Sequence, residues 1–157
     1  MIQIIRLVLP AVLCAVGLAG CASLEGEGEF DWREHPHHIS VLFSGTFEKD
    51  ETAASVGLDY EYRVSDFLGL GGVVERAFGQ IDATTLLAVA DLHLTPQFII
   101  QTGPGVEFKE GEVDVAYRVG VLYEFEGRGY TISPQLHYDW VTGEDSVVAG
   151  IAIGYGF

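Results

Sequence analysis

The sequence is poor in cysteine, methionine and basic charge. Of its 157 residues two are Cys, one is Met and eight are Lys or Arg, against 23 Asp and Glu. Cys14 lies inside an apolar N-terminal stretch; once that is removed Cys21 stands alone, so no intramolecular disulfide is possible. The net charge of −15 argues against nucleic acid as a partner, because a phosphate backbone calls for a basic surface. There is also no apolar run of the ~20 residues that a spanning helix needs. The run at 7–18 is shorter and is interrupted by Pro10 and Gly17. What the chain does have is 48% hydrophobic residues, 20 glycines and seven tyrosines. That is too apolar for a disordered chain and too rich in glycine for a helical bundle.

Residues 1–20 read as a secretory signal: Arg6, a short hydrophobic stretch, then small residues before a cut site. Leu18-Ala19-Gly20-Cys21 resembles the lipobox of bacterial lipoproteins. The resemblance implies that Cys21 is acylated and becomes the first mature residue. Ala22 in place of aspartate implies sorting to the outer membrane. The alternative is an ordinary cut nearby, with Cys21 incidental. Acyl chains would make a stable anchor, since each buried CH₂ contributes about 0.8 kcal/mol. Residues 21–37 are acidic, glycine-containing and aperiodic, the composition of a linker. Residues 38–157 are then the single folded domain.

From His38 onward the pattern is period-two alternation, the signature of strands. It is clearest over 113–125, where Val113, Val115, Tyr117, Val119, Val121, Tyr123 and Phe125 alternate with Asp114, Ala116, Arg118, Gly120, Leu122 and Glu124. A helix, with its period of 3.6, would scramble this pattern. Similar runs begin near residues 39, 55, 68, 100, 132 and 147. Residues 83–94 form the weakest, because Leu86 and Leu87 interrupt the alternation, although Asp91 and His93 share a face. Eight strands result. Turn-forming links such as 48–51, 109–111 and 142–145 leave no room for crossover helices, which predicts an antiparallel up-and-down meander closed into a barrel.

Alternation is equally compatible with a lipocalin-like barrel, apolar inside, and a membrane barrel, apolar outside. Three features favour the second. Glycines 57, 69, 71, 103, 105, 120, 150, 154 and 156 crowd the polar face, where a narrow lumen needs small residues beside charged ones. The strands run to ten residues or more, the length of a tilted crossing. Aromatics such as Phe47, Tyr60, Tyr62, Phe108, Tyr123, Tyr138 and Trp140 gather near strand ends on the apolar face, as interfacial girdles do. The fold class expected is therefore an all-β, eight-stranded antiparallel up-and-down transmembrane β-barrel. The final Ile-Gly-Tyr-Gly-Phe, with Tyr155 and Phe157 on one face, looks like the assembly signal of bacterial outer-membrane barrels, and residues 38–157 resemble the small OmpA-like transmembrane type. That resemblance implies a bacterial outer-membrane location, with outer-membrane lipid and the barrel-assembly machinery as partners. It implies no catalytic residues.

The polar face carries Asp59, Glu61, Arg63, Glu75, Asp91, Glu107, Asp114, Arg118, Glu124, His137 and Asp139. Buried charge must be paired or hydrated. A lumenal ion-pair plug centred on Arg63 and Arg118 is the first expectation, and a narrow cation-preferring path for small solutes is the second. A periplasm-facing, lipocalin-like lipoprotein holding an apolar ligand is the third. The histidine cluster Glu34-His35-Pro36-His37-His38 has metal-ligand chemistry but no identifiable partners, so neither metal nor cofactor is expected. Ser133, His137 and Asp139 share one face of one strand at four- and two-residue intervals, and since even same-face neighbours are roughly 6.6–7 Å apart they are too distant for a nucleophile–base bond. No enzyme is expected. The outward turns are short and acidic (Glu48, Asp50, Glu51, Asp82, Glu110, Glu112, Glu144, Asp145), unlike the long loops of a receptor. Carboxylates there can reach lipopolysaccharide phosphates through divalent cations, or simply be solvated.

Overall fold

Alternating strands joined by turns of two to four residues can only zip to their sequence neighbours, and the chain does so all the way round. The computed structural model describes residues 33–127 and 129–157. The signal, Cys21 and most of the linker lie outside the described residues. The strands are β1 (His37–Glu48), β2 (Glu51–Arg63), β3 (Leu68–Phe78), β4 (Ala83–His93), β5 (Phe98–Lys109), β6 (Glu112–Tyr123), β7 (Phe125–Gly127), β8 (Tyr130–Val141) and β9 (Ser146–Gly156). Every pairing is antiparallel, and β9 pairs back onto β1, so no edge is left open. Two-residue links make the sharpest turns. At Glu110-Gly111 both residues have positive φ (54° and 88°), as a tight hairpin requires.

β6 and β7 are one stave in two pieces. Their register against β8 continues unshifted across the gap, where Tyr123 falls opposite Pro134. Proline has no N–H to give to a ladder. Beside the gap, the Glu124 N–H donates to the Gln97 carbonyl at 2.8 Å. The barrel therefore has eight staves, most of them 11–13 residues long.

The apolar set faces outward and the polar set faces the lumen. Val41, Phe43, Leu58, Val74, Val115, Ile151 and Ile153 are exposed around the middle of the barrel, while Glu75, Arg118, His137 and Asp139 are buried inside it. This arrangement excludes the lipocalin-like expectation of an apolar interior. Aromatics ring the end that carries the termini, where Tyr155 packs on Tyr130 and Phe157, and Trp140 packs on Tyr117 and Tyr138 further along the wall.

β4 corrects the reading of its sequence. Its alternation is unbroken: Thr85, Leu87, Val89, Asp91 and His93 point inward, and Leu86 and Ala88 outward. Leu87 interrupts the chemical pattern because the lumen is not polar throughout. Leu87 and Val89 pack with Val73, Ala116 and Val141 inside it. Two smaller apolar clusters, one around Ile81 and one joining Leu42, Val148 and Ala152, fill further parts of the interior.

Candidate functional site in the barrel lumen

Arg118 lies at the centre of the first lumenal cluster and is only 1% exposed. Its Nε and Nη2 donate to the two carboxylate oxygens of Asp139 at 2.7 and 2.6 Å, and Nη2 also donates to Glu75 at 2.9 Å. A planar guanidinium can give two N–H bonds to one carboxylate and still serve a second, a fixed fork that a lysine ammonium lacks. Asp139 reaches it from the directly opposed position on β8, and Glu75 from β3. The cross-strand partner of Arg118 on β5 is Gly103. There, any Cβ would run into the Ala88 carbonyl, so only glycine fits. Thr46 donates to Glu75 at 3.4 Å and shares a 2.6 Å hydrogen bond with Ser55.

Nearer the rim, Thr85 donates to Glu107 at 3.2 Å, and Lys109 Nζ reaches Glu48 at 2.7 Å and Glu144 at 3.5 Å. The sequence pattern places Glu48 and Lys109 in turns. Both are instead the last residues of their strands, and Glu48 is buried in the lumen. The cavity left among Glu75, Glu107, Asp139 and Thr46 measures about 10 Å³, room for one water molecule.

The second cluster lies toward the end that carries the termini. Glu61 accepts from His93 Nε2 at 2.7 Å and from Arg63 Nε at 3.2 Å, and Gln101 Nε2 donates to Asp59 at 2.8 Å. His38 Nε2 hydrogen-bonds Thr131 Oγ1 at 2.9 Å. Glu124 is buried beside these groups, around a second cavity of about 10 Å³.

Of the residues singled out in the sequence, the structure brings Glu75, Arg118 and Asp139 into direct contact, and places Asp59, Glu61, Arg63, Asp91 and Glu124 around the second cluster. Glu107 joins Thr85, whereas Asp114, half-buried, is opposite Glu107 in the β5–β6 register. His137 is fully buried and donates to Gln135 at 2.9 Å. Asp139 is engaged by Arg118, so Ser133, His137 and Asp139 form no relay. The histidine cluster is dispersed by strand alternation. His37 points outward, stacked on Phe157 and bonded to the Tyr60 hydroxyl at 2.8 Å, while His38 points inward. Tyr155 and Phe157 both face outward at the seam, where the Phe157 N–H donates to the His37 carbonyl at 2.8 Å. Thr46, Ser55, Thr85 and Gln101 were missed as network members. Their inward parity was readable, but their partners were not.

No family model matches the chain, and no curated protein matches it. Solved structures do. Ail, the attachment invasion locus protein of Yersinia pestis, in complex with the heparin analogue sucrose octasulfate, superposes with a TM-score of 0.57 at 16% identity, covering 77% of this chain and 97% of that one. The N-terminal β-barrel domain of Pseudomonas aeruginosa OprF gives 0.55 at 13% identity, covering 76% and 97%. Neisserial surface protein A gives 0.50 at 10% identity, covering 77% and 96%. The chain has the fold of the small eight-stranded outer-membrane barrels. At these identities the likeness is one of fold alone.

Proposed function

We propose that the chain is a small integral outer-membrane barrel with a structural, membrane-anchoring role, its lumen plugged by a polar network. The observation that carries this reading is the inside-out distribution of its residues: a continuous apolar outer wall around a buried Arg118–Glu75–Asp139 triad. Only a surrounding apolar solvent makes such a wall favourable. Lumenal cavities that each hold about one water support a sealed interior. The bacterial outer-membrane location draws on the fold neighbours together with this wall. Acylation of Cys21, contact with outer-membrane lipid and lipopolysaccharide, and insertion by the barrel-assembly machinery belong to the same proposal. Ail binds a heparin analogue, but a sulfated polyanion is a poor match for the acidic turns here. The proposed role is not enzymatic.

Planar-bilayer recording tests the plug. Silent wild-type protein, with conductance appearing in Arg118→Ala, supports it. Steady cation-selective conductance of the wild type overturns it in favour of a narrow channel, a reading favoured by the excess of carboxylates in the second lumenal cluster. The barrel itself is tested by gel migration with and without boiling. A Cys21→Ala variant that is freely soluble and shows no shift on boiling would remove the membrane assignment.

A further inference from the structure

Among the described residues the second lumenal cluster holds more carboxyl groups than cationic side chains. Asp59, Glu61, Asp91 and Glu124 line one cavity of about 10 Å³. Arg63 donates to Glu61, and His93 also gives its Nε2 proton to Glu61. Two oxygens at this cavity have no hydrogen-bond partner among the described residues: Oδ1 of Asp91 and Oε1 of Gln101, on side chains 4% and 1% exposed. Both are acceptors, and Gln101 has turned its amide N–H toward Asp59. Asp91 and Gln101 are directly opposed across the β4–β5 pairing, so the two oxygens approach from neighbouring staves.

A buried acceptor needs a donor or a cation. Here two such acceptors meet an excess of carboxylates around a space the size of one water or one small ion. Among the described residues no three His, Cys, Asp or Glu side chains are arranged to hold a metal ion. That holds for carboxylates as much as for nitrogen and sulfur donors, so a site here must draw on amide and hydroxyl oxygens as well. Hard cations accept mixed carboxylate, amide and hydroxyl oxygens, the set supplied here by Asp59, Asp91, Gln101 and Ser40.

We propose that this cavity binds one small hard cation, of the sodium or calcium type, through the oxygens of Asp91, Gln101 and Asp59. The site rests on the closed lumen proposed above. Its readout is ion-specific stability and not conductance, so failure of the site and failure of the plug are distinguishable.

The test is the midpoint of heat unfolding of the full chain in detergent micelles, at fixed pH and ionic strength. Three salts are compared: choline chloride, sodium chloride, and choline chloride with added calcium chloride. The site predicts a saturable rise of about 5 °C in sodium or calcium over choline, and which arm rises identifies the ion. Asp91→Asn and Gln101→Leu abolish the rise, while Glu112→Gln, on the rim, retains it. Equal midpoints in all three salts overturn the proposal, as does an undiminished rise in both lumenal variants. If the variants do not fold, sodium NMR linewidths on the wild type decide: broadening relieved by calcium but not by choline supports the site, and absence of both broadening and ion-specific stabilisation removes it.

Discussion

Arg118 and Asp139 stand directly opposite each other across the β6–β8 pairing, and the guanidinium donates to both carboxylate oxygens, at 2.7 and 2.6 Å. The pair joins neighbouring staves, and the further bond to Glu75 ties them to β3, on another part of the wall. The triad thus braces the barrel across its lumen.

Replacing Arg118 by Met leaves Glu75 and Asp139 as buried, unpaired carboxylates. Breaking a buried pair from one side costs about 3–5 kcal/mol, which urea unfolding in detergent should record. Asp139→Asn should cost less, because Arg118 keeps Glu75. Combining Arg118→Met with Glu75→Gln and Asp139→Asn should recover much of the loss, since no uncompensated charge then remains. A loss no smaller in the triple variant than in Arg118→Met would show that the guanidinium acts by packing and not by pairing.

Gly120 gives a sharper steric test. It is the cross-strand partner of His137, whose ring occupies the place a Cβ would take. Gly120→Ala should destabilise the barrel, and His137→Ala in the same chain should suppress the effect, giving a coupling energy of about 1–3 kcal/mol in a double-mutant cycle. Gly103→Ala meets backbone, the Ala88 carbonyl. No side-chain truncation should rescue that variant.

Parity along each strand made most of the fold readable, because alternation fixes which residues face inward before any partner is known. The histidines at 35–38 show the strength of that rule: a cluster in sequence is divided between two sides of a wall in space. Leu87 shows its limit. An inward leucine looks like a fault in the pattern until the lumen is seen to contain apolar layers. The partnership of Arg118 with Glu75 was not legible at all, because it crosses the lumen and depends on strand stagger. Glu48 and Lys109 look like turn residues for a related reason. Charged residues next to a turn look solvated, and only the register showed that each ends its strand.

Lys109 and Glu48 come from strands remote in sequence and meet at the rim, with Glu48 buried and Lys109 partly exposed. Lys109→Met should therefore cost about 1–3 kcal/mol, the penalty for a buried acceptor stripped of its donor. Adding Glu48→Gln should return part of it. The cost should fall in high salt if water reaches the pair, and measuring the unfolding midpoint of both variants at two salt concentrations separates these contributions.

Phe43 decides what surrounds the barrel. It faces outward near the middle of β1, 56% exposed, flanked by Val56 on β2 and Ile151 on β9. In a hydrocarbon environment a lysine at this depth should cost about 2–4 kcal/mol, whereas Glu110→Lys, at a turn beyond the wall, should cost almost nothing. Against water the sign reverses: Phe43→Lys would cover an apolar patch with charge and improve solubility at little cost in stability. The measurement is folding free energy in lipid vesicles for the two variants beside the wild type. The depth dependence matters more than either value, because water on the outer wall would penalise neither position and only a bilayer penalises the first while sparing the second.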